Sequence, residues 1–335
     1  MCTLFAIILL GACAHQYKRI PSQNYDTRVK SLVMHFTAGD YVESLSALVD
    51  AGGLSSHFLL PAPNDASYPY ADLRILQLVP EHARAWHAGV SSWQNRFGLN
   101  DTSIGIEIVY EPQCNSNIPY RDAGWQGANR PCTFPEYPQD QIALLIELSQ
   151  ALLARYPDIH PTAIIGHSDI APQRKNDPGP NFPWRALAEA GIGAWYDELV
   201  FTQAKALFQE RLPSLLWLQL ALAEYGYATP ITGCFDEATS NVISAFQMHF
   251  TPTEYQPVHT LIQPQEQLRE PAIYAAILAL HRRYFPDFAE RLEAAYHNST
   301  AEHLLQSTLQ QKPVIAYAKT ALTKPNELSC QVLEP

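Results

Sequence analysis

The chain has 335 residues, a length for which two domains are the prior expectation, and 47% of them are hydrophobic, enough for packed cores and too many for a disordered chain. With 22 Lys and Arg against 33 Asp and Glu, the formal net charge is -11. That balance excludes a broad nucleic-acid footprint, and it excludes attraction to anionic lipid by charge alone.

The N-terminus reads MCTLFAIILLGACAHQ. Its apolar run, residues 4–10, is far too short to span a bilayer and suits the apolar core of an export signal. Leu10-Gly11-Ala12-Cys13 resembles the lipobox of bacterial lipoproteins, in which the cysteine thiol takes a diacylglycerol and becomes the first residue of the mature protein. Residues 1–13 are therefore expected to be a lipoprotein-type signal, with Cys13 the lipidation site and a lipid anchor holding the protein at a membrane. Ala14 in place of Asp implies sorting to the outer membrane, facing the periplasm. One departure stands: no Lys or Arg precedes the apolar run.

VKSLVMHFTA, residues 29–38, is apolar and rich in strand formers. Alternation puts Leu32, Met34 and Phe36 on one face and Val33, His35 and Thr37 on the other. Asp40, with Glu43 three residues on, starts a helix as a capping box; Leu45, Leu48 and Val49 supply its stripe and Gly52-Gly53 ends it. SSHFLL and RILQLV read as short strands. SIGIEIVY alternates most clearly, with Ile104, Ile106 and Ile108 on one face and Glu107 on the other. Residues 139–156 carry Ile142, Leu145, Ile146, Leu152 and Leu153 at helical spacing, and Pro157 stops the run. TAIIGH is a further strand that delivers His167 at its end. Strands interleaved with helices predict an α/β domain over residues 14–195.

After about Trp195 the periodicity turns helical. Leu212, Leu215, Leu216, Gln219 and Leu222 mark one helix, closed by Gly226. Asp236 caps a second that carries Val242, Ile243, Phe246 and Phe250, and a third lies near residues 273–284. Residues 196–297 are expected to form a small helical domain, and residues 298–335 a tail with no strong pattern. Cys114 and Cys132 flank a loop-like stretch; a bridge formed in an oxidising compartment and two free buried cysteines are both open readings.

The segment GHSDIAPQRKNDPGPNFPW, residues 166–184, is rich in proline and glycine and reads as neither helix nor strand. It sets His167 ten residues before Asp177, on a connection that can bend so that imidazole and carboxylate converge on a metal. His35, on the polar side of a buried strand, is the candidate third ligand. Three protein ligands and a fourth position left for water describe a catalytic zinc site. Glu107 points away from the isoleucine face, toward a cleft, where a carboxylate can act as general base.

LVMHFTAG, SSHFLL, AWHAG, SIGIEIV and GHSDIAPQRKNDPGP follow one another in an order that resembles the zinc-dependent N-acetylmuramoyl-L-alanine amidases, a family that includes phage lysozyme amidases and peptidoglycan recognition proteins. The resemblance covers roughly residues 17–190. It implies a mixed central sheet with flanking helices, Zn2+ held by His35, His167 and Asp177, and catalysis by Glu107 with Lys175 as the cation that stabilises the oxyanion. It implies hydrolysis of the amide between N-acetylmuramic acid, or its anhydro form, and L-alanine in peptidoglycan and muropeptides. Trp86 and His87, in AWHAG, are expected to line the cleft as substrate-binding residues. His57 is either a substrate contact or a satisfied core histidine, and Trp93 either cleft wall or packing. The alternatives to an amidase are a peptidoglycan-binding lipoprotein without turnover and a zinc peptidase that cuts within the stem peptide. LQLALAEYGY and ITGCFDEATSNVISAFQMHF resemble the helical peptidoglycan-binding domain of cell-wall hydrolases, which would raise the local concentration of murein. Phe246 and Leu216 are expected in its core, and residues 255–268 depart from its compact pattern.

Overall fold

The computed structural model describes residues 20–114, 127–255 and 268–310. The lipobox, Cys330 and most of the 255–268 insertion lie outside the described residues. The strands are β1 (Ser31–Phe36), β2 (Phe58–Leu60), β3 (Leu76–Gln77), β4 (Ser92–Trp93), β5 (Arg96–Phe97), β6 (Ser103–Ile108), β7 (Gln113–Cys114), β8 (Cys132–Thr133) and β9 (Ile164–Gly166). Five of them form one sheet in the order β3-β2-β6-β1-β9. Only the β2–β3 pair is antiparallel; β2–β6, β6–β1 and β1–β9 are parallel. The sheet is therefore mixed, as the family resemblance implies.

Period-two alternation along β1 and β6 creates its two faces. Leu32, Met34, Ile104 and Ile106 are wholly buried on one side, in a core shared with Leu145, Leu148 and Leu152 of the helix α2 (Gln139–Arg155). Full burial of each such side chain contributes about 1.5–3 kcal/mol. The other side carries Val33, His35, Gly105 and Glu107. Near one edge it packs under α1 (Tyr41–Val49), whose capping box is present: Asp40 accepts from the Glu43 N–H at 2.9 Å, and Glu43 reaches back to the Asp40 N–H. The helix stops at Val49, with Asp50 as its cap, ahead of the Gly52-Gly53 pair. RILQLV yields a strand of two residues only, because β3 lies at the sheet edge and pairs on one side.

The chain from Gly166 departs from the expected irregular connection. His167–Ile170 forms one helical turn, α3, and a second short helix, α4 (Trp184–Glu189), follows. Beyond it come α5 (Glu198–Glu210), α6 (Leu215–Tyr225), α7 (Glu237–Phe250), α8 (Pro271–Tyr284), α9 (Pro286–His297) and α10 (Ser299–Leu309). Helix α10 corrects the expectation of a patternless tail from residue 298. It buries Leu305 and Leu309, one turn apart, in the helical core; two apolar positions are too few to mark a helix until a partner surface is known. Phe246 and Leu216 are core residues as expected.

The helical part does not stand apart from the sheet. One hydrophobic core runs from Val33, Ala88 and Ile165 of the α/β domain into α6, α7 and α8. Asn129 bonds Ser240, Asn241 and Ser244 of α7. Trp93 is packing, not cleft wall: it is buried, donates from Nε1 to Thr162 O at 2.9 Å, and meets the Tyr225 and Tyr227 rings edge-on. Cys114 and Cys132 are bonded, pinning the β7–β8 pair, and Cys234 is also in a disulfide. Gly226 ends α6 where the Trp93–Gln94 hairpin presses against it, and a Cβ there would lie 2.8 Å from the indole. Gly226→Ala should therefore destabilise the chain by about 1–3 kcal/mol, read as a lower urea midpoint; an unchanged midpoint would show that the domains are not tightly docked there.

Candidate metal centre

His35 leaves the sheet face near the C-terminal end of β1, beside Glu107 on β6, with which it is in register. His167 follows β9 directly. The connection after it curls back: the Ser168 N–H donates to the Asp177 carbonyl at 2.8 Å, which brings the Asp177 side chain alongside His167. His35 Nδ1, His167 Nδ1 and Asp177 Oδ2 lie 3.0 Å from one another. All three residues are buried, at 1%, 3% and 4% exposure, so water cannot screen the cluster freely.

The surrounding hydrogen bonds decide where the protons sit. His167 Nε2 faces the Ala88 carbonyl at 3.2 Å and must donate to it, so Nδ1 is the nitrogen turned toward His35 and Asp177. Ser103 Oγ donates to the Leu99 carbonyl at 2.6 Å, so it accepts from His87 Nε2 at 3.1 Å. His87 Nδ1 then accepts from His35 Nε2 at 3.0 Å, and His35 Nδ1 is left as a lone pair. Burial lowers the pKa of His35 to about 4 and that of His87 well below the ordinary imidazole value, so both rings are neutral near pH 7. The two Nδ1 atoms and the Asp177 oxygen thus converge on one place. A cation between them would satisfy all three, and two imidazoles with one carboxylate are a donor set of catalytic zinc. Among the described residues, this is the cluster of histidine, cysteine and carboxylate groups able to hold a metal ion.

Glu107 borders the cluster. Its Oε1 is 4.0 Å from His35 Nδ1, and its Oε2 is buried with no hydrogen-bond partner. Burial, and next the Asp177 carboxylate, raise its pKa well above the ordinary range, while Lys175 pulls it down. Lys175 is half-buried at the end of the turn that starts at Ala171.

The expectations for the remaining residues divide. His57 is a satisfied core histidine and not a substrate contact: it is fully buried, its Nδ1 accepts from the Gly105 N–H at 3.0 Å and its Nε2 donates to Ala83 O at 3.2 Å. His87 is also corrected. It is buried, and its Nδ1 holds the His35 ring through Nε2. Trp86 is exposed, with the Arg84 guanidinium 4.5 Å over its ring. The supporting role of His87 had one sequence signal, the glycine in SIGIEIV. A Cβ on Gly105 would come 2.4 Å from His87 Cγ, so only glycine leaves room for the imidazole against β6.

An α/β sheet that gathers two histidines and an aspartate at one end, beside a buried glutamate, has the donor set of the metal-dependent hydrolases. Residues 25–180 match the N-acetylmuramoyl-L-alanine amidase family, and residues 211–254 match a peptidoglycan binding domain. The chain is 41% identical over 265 residues to N-acetylmuramoyl-L-alanine amidase AmiD of Escherichia coli K12, covering 75% of this chain and 89% of that protein. The structure of AmpDh3 from Pseudomonas aeruginosa in complex with anhydromuramic pentapeptide superposes with a TM-score of 0.68 at 40% identity, covering 82% of this chain and 99% of that one. That of Escherichia coli AmiD with anhydro-N-acetylmuramic acid-L-Ala-D-gamma-Glu-L-Lys gives 0.62 at 39% identity, covering 79% and 93%. The chain belongs to the N-acetylmuramoyl-L-alanine amidase family.

His87→Ala should lower zinc affinity about 10–100-fold, the usual cost of losing a partner that orients a ligand, with circular dichroism unchanged. Competition against a chromophoric chelator measures it, and wild-type affinity would remove His87 from the support of His35.

Proposed function

We propose that this protein is a zinc amidase that hydrolyses the bond between the lactyl group of N-acetylmuramic acid, or its anhydro form, and L-alanine in peptidoglycan and muropeptides. The observation that carries the reading is the convergence of His35 Nδ1, His167 Nδ1 and Asp177 Oδ2 beside the unpartnered Glu107 carboxylate oxygen. These three residues would hold the metal. Bound there, zinc supplies a Lewis acid for the amide carbonyl and lowers the pKa of water to about 7.

The chain's own residues account for the proton movements. Glu107, with Oε2 free to accept, takes a proton from the attacking water as its oxygen adds to the carbonyl carbon. Its raised basicity suits that task. Lys175 stabilises the negative charge that grows on the carbonyl oxygen. Glu107 then returns the proton to the departing nitrogen as the C–N bond breaks, leaving a muramyl carboxylate and the free amine of L-alanine. The exposed Trp86 offers an apolar ring to sugar or peptide at the surface. The helical domain binds murein and keeps substrate near the site.

We also propose that Cys13 is lipidated and that the mature protein is anchored in the outer membrane, facing the periplasm. The lipobox-like Leu10-Gly11-Ala12-Cys13 supports this. Among the described residues no helix is long and apolar enough to cross a membrane.

Muropeptides incubated with the protein should release a peptide that begins with L-alanine, identified by mass spectrometry, and chelation should abolish the release; cleavage inside the stem peptide would overturn the substrate assignment. Asp177→Ala should lose both zinc and turnover. Glu107→Gln should retain zinc while kcat falls about 10² to 10⁴-fold, the usual contribution of proton transfer; a normal kcat would exclude Glu107 from the chemistry. Cys13→Ser, expressed with its natural leader, should move the protein from the membrane to the soluble fraction, and membrane retention would refute lipid anchoring through that residue.

A further inference from the structure

The turn that presents His167 is held from outside its own domain. Asp169, two residues on in α3, is 1% exposed. Its Oδ2 accepts from the Gly166 N–H at 2.7 Å and from His249 Nδ1 at 2.7 Å. Its Oδ1 accepts from the Tyr227 hydroxyl at 2.6 Å. Burial and the Asp169 carboxylate raise the Tyr227 phenol well above its ordinary pKa, so the hydroxyl keeps its proton and donates. Tyr227 follows α6 and His249 lies on α7, so both come from the helical domain. The His249 ring is itself fixed, stacked 3.7 Å from Trp184 on one side and 3.9 Å from Phe250 on the other.

A carboxylate this deeply buried needs its partners. Without Tyr227 and His249, Asp169 would keep, among the described residues, only its bond to Gly166, and the favourable response is a rotation toward water. Asp169 and His167 share a turn of four residues. A rotation of one therefore displaces the other, and metal–ligand distances tolerate only about 0.2 Å.

We propose that Asp169 is a positioning residue for the His167 ligand, clamped by Tyr227 and His249, so that the docked helical domain is part of the metal-binding unit and not only a murein anchor. The inference rests on the assignment of His35, His167 and Asp177 as the zinc site. It places a functional demand on the domain interface: the two parts must be docked for the His167 ligand to be in place.

The test uses the full chain with Tyr227→Phe, which removes one hydroxyl, and His249→Phe, which keeps the stacked ring and removes its nitrogens. Ser244→Ala is the control, because it weakens docking through Asn129 and removes no hydrogen bond to Asp169. Zinc affinity is measured by chelator competition, together with the thermal midpoint and with kcat and KM on a muropeptide. The expected result is a tenfold or greater loss of zinc affinity in both Asp169-partner variants, with folded circular dichroism and with kcat at saturating zinc affected more than KM. Ser244→Ala should lower the midpoint and bind zinc as the wild type does. Wild-type zinc affinity in Tyr227→Phe and His249→Phe, with a lower midpoint as the sole defect, would overturn the proposal and leave the zinc assignment standing. A wild-type protein that binds no zinc would overturn both. Tyr227→Phe is the milder change and decides the matter if His249→Phe fails to fold.

Discussion

Two imidazole nitrogens and a carboxylate oxygen lie 3.0 Å from one another in a buried place, an arrangement that a shared cation would satisfy. The rest of the domain can be read as the means of keeping them there. Two hydrogen-bond chains end on backbone carbonyls, at Leu99 and Ala88, and those carbonyls dictate the tautomers of His35 and His167 from a distance. The dictation works because a carbonyl can only accept. Each donor along the chain is thereby assigned, and the outermost nitrogens are left facing the metal position. Burial reinforces this by disfavouring the charged form of both His35 and His87.

The same burial that readies the histidines readies Glu107. A carboxyl group desolvated beside another carboxylate holds its proton more tightly, and in the proposed mechanism that raised basicity favours taking a proton from water. Lys175 acts in the opposite direction on the same group, and both effects arise from one connection, since Lys175 and Asp177 are two residues apart. The sheet contributes rigidity: His35 and Glu107 are neighbours in a parallel ladder whose other face is closed by wholly buried leucine, methionine and isoleucine side chains. Movement of either functional group would have to disturb that core.

The helical domain changes meaning between sequence and structure. Its periodic leucines and aromatic residues announce a separate bundle, and a separate bundle suggests a tethered anchor. The structure instead runs one core across the boundary, with α7 buried on all sides and its polar residues, Ser240, Asn241, Ser244 and His249, spent on contacts to the α/β domain. Buried polar residues on a helix look, in a sequence, like its solvated face. Only the presence of a partner surface distinguishes the two.

Much was legible from residue order alone: the α/β class, the alternation that sets His35 and Glu107 on the polar face of neighbouring strands, the Asp40 capping box, and the candidate ligand set His35, His167 and Asp177. These are legible because local periodicity and residue chemistry are local facts, and a histidine and an aspartate ten residues apart on a proline-rich connection have few other reasons to be there. The roles that depend on the far side of a side chain were settled by folding alone. In sequence His87 looks like a cleft residue and His57 is open between substrate contact and core, yet His57 is a core strut and His87 the support of His35, because strand pairing brings Gly105 against both. The helix at Ser299–Leu309, the bond between Cys114 and Cys132 and the Asp169 clamp belong to the same class. Each is a pairing between groups brought together by folding, and the identity of a distant partner is not encoded in the spacing of the residues around either one.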